Sequence, residues 1–272
     1  GCPLTRRAAS APPSGEPRRA PPPVRVMAAA RRTGGVALVV THGPGRHRRA
    51  LRRLAADSTL VIAADGGARL ARQAGVRPDL VVGDLDSLDR TTSRWLAAQG
   101  VPRRVLPRAK DMTDGEVAVR EAVRRGAAEV AIFSPAGGRL DQLLANVFLL
   151  RTARALGVRA RLYDGRAVAW LVDGATEVAG RPGEVVSLIP LTPQVDGVRL
   201  RGLRWSLRGA TLRAGTTRAL SNELVAPPAR VAVRRGELLV VHFPRASGCL
   251  APGSRCYNSP YHARPARPRH RP

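Results

Sequence analysis

The chain has 272 residues, enough for one large domain or two modest ones, each with its own core. Hydrophobic residues make up 44% but aromatics only 3%, so the core must be built from Ala, Val and Leu. No apolar run reaches the roughly 18 residues that a membrane-spanning helix needs, which excludes that class. The formal charge is +26, carried almost wholly by arginine, with Lys110 the one lysine. Residues 1–33 hold seven Arg against one Glu, residues 246–272 hold five Arg and no acid, and +15 is left to the middle. Such a charge invites a nucleic-acid reading. No run of Arg alternates with aromatics, however, and no helix-turn-helix or RNA-binding signature is present, so nucleic acid is disfavoured as a partner. A basic surface equally suits anionic nucleotide substrates. Cys2, Cys249 and Cys256 form no CxxC pair and lie outside the patterned middle, which fits a reducing cytoplasm. Both tails, 1–33 and 246–272, read as basic and disordered. The first lacks the apolar core of a secretory signal, and Met27 is the simplest true start.

Gly35 to Thr41 is a continuous apolar run ended by His42-Gly43-Pro44-Gly45, as expected of a buried parallel strand running into a turn. The Gly-x-Gly there lacks the Lys-Ser/Thr of a P-loop. A helix follows over about Arg46 to Ala56, then a strand from Thr59 to Ala64 that feeds Asp65-Gly66-Gly67. Two readings of that tripeptide stand open. One is an ordinary strand–helix turn. The other is a close backbone approach to a ligand, with the helix from about Ala68 to Ala74 offering its first amides to an anion. Pro78-Asp79 opens a third strand, ending at Gly83-Asp84. Leu88 to Gly100 is helical, Arg103 to Leu106 a short strand, and Asp114 begins an amphipathic helix that Thr113 is placed to cap. Glu129 to Phe133 is a fifth strand. A Gly-rich turn from Ser134 to Arg139 leads to Asp141, which heads a long helix, and Ala160 to Tyr163 is a sixth strand. This alternation argues for a parallel α/β sheet with ligands at the carboxyl ends of its strands.

After Asp164-Gly165 the pattern changes to short β-branched runs between glycines: 167–172, 176–178, 184–190, 197–207, 210–212, 230–233 and 237–243. These read as an all-β domain of sandwich or barrel type. The expected organisation is therefore a tail (1–33), an α/β nucleotide-binding domain (34–164), a β-sandwich domain (165–245) and a second tail (246–272).

The chemistry centres on Val-Val-Gly-Asp-Leu-Asp, residues 81–86. If the chain is still extended there, Asp84 and Asp86 point to one side. Two carboxylates so placed repel unless a cation lies between them, and a hard ion such as Mg²⁺ takes such ligands while leaving room for substrate phosphates. A lone Asp-x-Asp is as readily a solvated turn. Here Asp65-Gly66-Gly67, Lys110-Asp111-Met112-Thr113-Asp114 and Gly137-Gly138-Arg139-Leu140-Asp141 accompany it, all at strand ends. Capping accounts for Thr113 and Asp114 but not for Lys110-Asp111. In the β half, Trp205 alone reads more readily as a core residue than as a stacking platform, and Ser221-Asn222 as a turn.

Taken in order with Ser187-Leu188-Ile189-Pro190 and Gly202-Leu203-Arg204-Trp205-Ser206-Leu207, these motifs make the chain resemble the thiamine pyrophosphokinases of bacterial type over about residues 35 to 245. The resemblance implies a homodimer whose active site lies between the α/β domain of one subunit and the β domain of the other. It implies the reaction of ATP with thiamine to give thiamine diphosphate and AMP, with Mg²⁺ as cofactor. By position, Asp84, Asp86 and Asp114 would hold the metal, and Lys110 would absorb charge beside them. Asp65, Gly66, Gly67, Lys110, Asp111, Thr113, Arg139 and Asp141 would line the nucleotide and thiamine site. Trp205, Ser221 and Asn222 would receive thiamine from the partner subunit. The chain departs from the pattern at Gly115, where Leu or Phe is usual, and at Gln142, where many bacterial members have His. Three alternatives stand beside this expectation: another Mg-dependent phosphoryl transferase or phosphohydrolase, a basic nucleic-acid-binding protein, and a thiamine-binding module without turnover.

Overall fold

Apolar runs that alternate with amphipathic stretches become strands and helices in the same order. The computed structural model describes residues 34–109, 111–172 and 174–245; both tails and Lys110 lie outside the described residues. Strands β1 (Val36–Val40), β2 (Leu60–Ala64), β3 (Leu80–Gly83), β4 (Arg103–Val105), β5 (Glu129–Phe133) and β6 (Arg159–Tyr163) are connected by helices. The helices are α1 (Arg48–Ala56), α2 (Gly67–Ala74), α3 (Arg90–Ala98), α4 (Asp114–Arg124) and α5 (Leu140–Ala155). The six strands pair in parallel in the order β6-β5-β1-β2-β3-β4. The order reverses between β1 and β5. At such a switch point the loops diverge and leave a crevice at the strands' carboxyl ends.

The β-rich half does not form a separate pair of sheets. It consists of β7 (Val168–Leu171), β8 (Ala175–Val178), β9 (Val185–Pro190), β10 (Gln194–Arg201), β11 (Leu207–Arg213), β12 (Asn222–Glu223), β13 (Ala229–Ala232) and β14 (Leu238–Phe243). β7 turns back antiparallel on β6, and β14, β9 and β12 extend the same sheet, which thus reaches ten strands. The turn at Asp164-Gly165 is tied by the Asp164 carboxylate, which accepts from the backbone N–H of Arg166 and Ala167. A second sheet, β11-β10-β13-β8, covers the antiparallel end and completes a sandwich. The single strand expected over 197–207 is broken. Gly202 is left-handed there (φ +75°), and a Cβ on it would lie 2.4 Å from the Ala226 carbonyl oxygen. The chain leaves the sheet at Arg201 and rejoins it at Leu207. Of the expected Ser221-Asn222 turn, Ser221 is left-handed (φ +53°) while Asn222 opens β12.

Strand alternation explains how one sheet serves both halves. Leu38 and Val40 of β1 belong to the same core as Leu51 and Leu54 of α1, and so do Leu238 and Val240 of β14 with Val198 and Leu200 of β10. Ala37 and Val39 face the other way, into a core shared with Val119 of α4, Leu149 and Leu150 of α5, and Leu239 of β14. One side of the sheet is covered first by helices and then by the second sheet; the other is covered by α4 and α5.

The sandwich buries one titratable pair. His242 Nε2 and Glu184 Oε2 are 2.9 Å apart, and neither side chain is exposed. Burial holds the imidazole below the ordinary histidine range, and Glu184 opposes this only in part. Burial pushes the Glu184 carboxyl up, but the N–H groups of Arg245 and Arg181 and the imidazole outweigh it and hold it low. Near neutral pH the pair is a carboxylate accepting from a neutral imidazole. A folded histidine with a lowered pKa refuses a proton that the unfolded chain takes up near pH ~6.5. Its contribution is therefore present above that pH and lost as pH falls below it, and Glu184 adds a further loss at lower pH. The urea midpoint should fall as pH drops below about 6.5, and fall less steeply in His242→Gln. Equal slopes in the two proteins would remove His242 from the account.

Candidate active site

Two acidic loops converge because the neighbouring strands β2 and β3 end at the same level. Asp65 leaves β2, Asp84 and Asp86 leave β3, and one oxygen from each of the three lies within 4.8 Å of the others. Gly83 makes the approach: its φ is +150°, and a Cβ on it would lie 2.9 Å from Asp65 Cβ. Asp84 and Asp86 do not share a side through an extended backbone. Leu85 is left-handed (φ +64°), and the Asp84 carboxylate accepts from the Asp86 N–H at 3.3 Å, so a turn after the strand gathers them.

Like charges this close need compensation. Arg108 donates from Nε to the Asp86 carboxylate at 2.8 Å and pairs with it through its second nitrogen. That hydrogen bond is the main cause holding the exposed Asp86 carboxyl below its usual range. Asp65 Oδ1 is buried and has no hydrogen-bond partner. A buried, unpartnered carboxylate oxygen facing two other carboxylates is the donor chemistry of a hard divalent cation. The residues present fit Mg²⁺.

A cleft of about 320 Å³ opens beside this cluster. Its walls include His42 after β1, Asp65, Ser87, Arg108, Asp114 at the start of α4, and Arg139 before α5. Thr113 caps α4, accepting from the Glu116 N–H at 3.2 Å, so the helix start survives the Gly115 departure. Arg139 is paired with Asp141, and this pairing holds the exposed Asp141 carboxyl low. The back of the cleft is fastened by Asn146 of α5. Its Nδ2 donates to Thr41 Oγ1 at the end of β1 (3.2 Å) and to Ser134 Oγ at the end of β5 (2.9 Å). All three residues are buried, so the switch point is closed by side chains that reading the chain segment by segment did not connect.

The sequence-predicted residues divide into groups. Asp65, Asp84 and Asp86 form the acidic cluster, and Asp114, Thr113 and Arg139 line the adjoining cleft. The gathered trio contains Asp65 where the resemblance implied Asp114. Asp111 is exposed beside α4, and Lys110 lies outside the described residues. Gly66 and Gly67 serve packing: a Cβ on either would lie 2.1 Å from His42 Nδ1 or the Val40 carbonyl oxygen, so α2 can start against β1 only with glycine there. Arg108 carried no signal in the sequence, being one arginine among many.

Trp205, Ser221 and Asn222 stand together elsewhere. The Trp205 indole is 53% exposed, which removes the core reading. It sits on the β10–β11 loop against β12, the far edge strand of the ten-stranded sheet. Six strand-to-strand steps separate β12 from β1, roughly 30 Å along the sheet at about 4.8 Å a step. None of the three residues lines the carboxylate cleft.

Comparison with known proteins agrees with this layout. Residues 51–162 match the family model described as thiamin pyrophosphokinase, catalytic domain, and residues 176–238 the model described as thiamin pyrophosphokinase, vitamin B1 binding domain. The thiamine pyrophosphokinase of Bacillus subtilis is 25% identical over 205 residues, covering 75% of this chain and 96% of that protein. Its crystal structure has the same fold, with a TM-score of 0.69 over 78% of this chain and all of that one, at 23% identity. The thiamin pyrophosphokinase structure from Geobacillus thermodenitrificans gives 0.66 at 26% identity, over 78% of this chain and 99% of that one. That from Candida albicans gives 0.65 at 13%, over 77% and 89%. Two models of one family match in order over more than half of the chain, on the two halves that carry the acidic cluster and Trp205, and the chain belongs to the thiamin pyrophosphokinase family.

Proposed function

We propose that the chain transfers the diphosphate group of ATP to the hydroxyl of thiamine, giving thiamine diphosphate and AMP, with Mg²⁺ as cofactor and as a homodimer. The observation that carries this is the Asp65–Asp84–Asp86 cluster beside a cleft walled by Arg108 and Arg139, in a chain that matches both domain models of the family. The division of labour near residue 165, with nucleotide chemistry before it and thiamine binding after it, is part of the proposal. So is a cytoplasmic setting, which rests on cysteine usage.

In this reading Asp65, Asp84 and Asp86 hold the ion, with Asp114 at the cleft wall within the same acidic environment. When bound, the ion neutralises phosphate charge and polarises the phosphorus that is attacked. The thiamine oxygen forms a bond to the β-phosphorus, the bond from that phosphorus to the α–β bridging oxygen breaks, and AMP leaves. A carboxylate of the cluster takes the hydroxyl proton. Arg108 and Arg139, each held at the cleft by a carboxylate partner, supply positive charge to the transferring group, as does Lys110. The start of α4, where Asp114 lines the cleft, adds the positive end of the helix dipole.

The dimer answers a distance. Thiamine stacked on Trp205 cannot reach the carboxylates of the same chain across roughly 30 Å of sheet, whereas a second copy can bring its Trp205 to them. The surface next to the cleft is suited to that contact. α5 buries Asn146, Leu149, Leu150 and Ala153 but leaves Leu140, Leu144 and Phe148 70%, 54% and 49% exposed, a stripe at four-residue spacing that begins at the cleft rim. A helix apolar on both sides calls for cover on both.

AMP and thiamine diphosphate should form in equal amounts from ATP, thiamine and Mg²⁺, and an Asp84→Asn, Asp86→Asn double variant should form neither. ADP with thiamine monophosphate would mean a simple kinase and overturn the transfer assignment. By sedimentation the wild type should have twice the chain mass of 29.0 kDa, and Leu144→Asp, Phe148→Asp should be monomeric and inactive. A dimeric double variant would put the interface elsewhere.

A further inference from the structure

Trp205 projects from an irregular loop, yet its backbone is fixed as firmly as a strand's. The agent is Asn222, whose residue is only 2% exposed. Its Oδ1 accepts from the Trp205 N–H at 3.0 Å and from the Glu223 N–H at 2.9 Å. Its Nδ2 donates to the Trp205 carbonyl oxygen at 2.8 Å. One side-chain amide thus pairs with both polar groups of the Trp205 peptide backbone, the pattern one strand residue makes with another. Both lone pairs of Oδ1 are used and at most one N–H of Nδ2 is left, within a buried residue. Neighbouring bonds hold the same loop: Arg204 N–H donates to the Glu223 carbonyl at 2.9 Å, and Val225 N–H to the Gly202 carbonyl at 2.9 Å. The Arg204 guanidinium pairs with Glu223 at 3.1 Å and lies 5.9 Å from the indole centroid. β12 is itself tied to β9, where Asn222 is in register with Val186, and Ser221 N–H donates to Ser187 Oγ at 3.0 Å.

We infer that Asn222 is a positioning residue: it sets the angle and height of the Trp205 indole as a stacking platform, and contributes to thiamine recognition only through that ring. This deepens the proposed function and rests on its reading that thiamine stacks on Trp205. It reassigns Asn222 from a thiamine contact to the clamp behind one. A platform that must meet a ligand held by another subunit gains from being fixed beforehand, because ordering the loop on binding would weaken affinity.

The test uses the full-length enzyme labelled with 5-fluorotryptophan. Its three tryptophans are Trp95, Trp170 and Trp205, and the Trp205 resonance is assigned by its loss in Trp205→Phe. In Asn222→Ala the Trp205 resonance should shift or broaden, while those of Trp95 and Trp170 stay in place. The KM for thiamine should rise by about tenfold, with kcat and the KM for ATP changing far less. In a Trp205→Leu background the same substitution should add little further loss, because the clamp then has no aromatic ring to place. A direct thiamine contact predicts the opposite: an unmoved Trp205 resonance and a full additional loss in the Trp205→Leu background, which would overturn the inference. Movement of all three resonances together with a fall in kcat would also overturn it, by showing a general structural role. Should Asn222→Ala not fold, Asn222→Asp keeps the acceptor for the Trp205 N–H and loses the donor to its carbonyl, and the same readouts apply. The fluorine shift needs no thiamine turnover, so failure of the clamp and failure of the proposed reaction are separable.

Discussion

Three carboxylates with oxygens within 4.8 Å of one another repel, and much of the α/β half is built to keep them there. β2 and β3 are hydrogen-bonded neighbours, so the residues that follow them emerge side by side. Gly83 removes the side chain that would separate Asp84 from Asp65, and the turn at Leu85 brings Asp86 back toward both. Arg108 reaches in from the loop after β4 to offset one charge. Asn146 ties the ends of β1 and β5 together behind the cleft. A cluster held against its own electrostatics is pre-organised for a cation that would relieve it.

The second constraint is the sheet. Because β7 turns back on β6 and the β-rich half continues the same hydrogen-bonded layer, the two functional regions lie at fixed, distant places on one rigid element. Stiffness of that kind forbids a hinge closure in which a chain folds its own Trp205 onto its own aspartates. It leaves association of two copies as the economical way to bring them together. The exposed apolar stripe of α5 beside the cleft and the exposed indole at the far edge are the two surfaces that such an arrangement would pair.

Local features of the fold were legible in the sequence. Strands β1, β2, β3 and β5 were marked by largely apolar runs, whereas β4 (Arg-Arg-Val) and β6 (Arg-Ala-Arg-Leu-Tyr) were marked by their places in the alternation; the helices were marked by periodicity, and the acidic motifs by their places at strand ends. What depends on pairing between distant segments was not legible. Nothing in residues 167–243 says that β7, β14, β9 and β12 would join the first sheet instead of forming their own. Asp65 was visible as a site residue, but its place beside Asp84 and Asp86 follows from β2–β3 adjacency. The side-by-side reading of Asp84 and Asp86 reached the right neighbours by the wrong backbone, since a left-handed Leu85 leaves no local mark in a non-glycine residue. Asn222 looked like half of a turn because its partner Trp205 lies 17 residues away.

The central claim is that one active site is assembled from the carboxylates of one copy and the Trp205 platform of another. Subunit complementation tests it most directly: Asp84→Asn, Asp86→Asn and Trp205→Ala enzymes, each inactive alone, are mixed, dissociated and reassociated. Random pairing should make half of the dimers mixed, each with one intact site of two, and restore about a quarter of wild-type activity. No recovery from a mixture shown to contain mixed dimers would place Trp205 and the aspartates in the same chain's site and contradict the account.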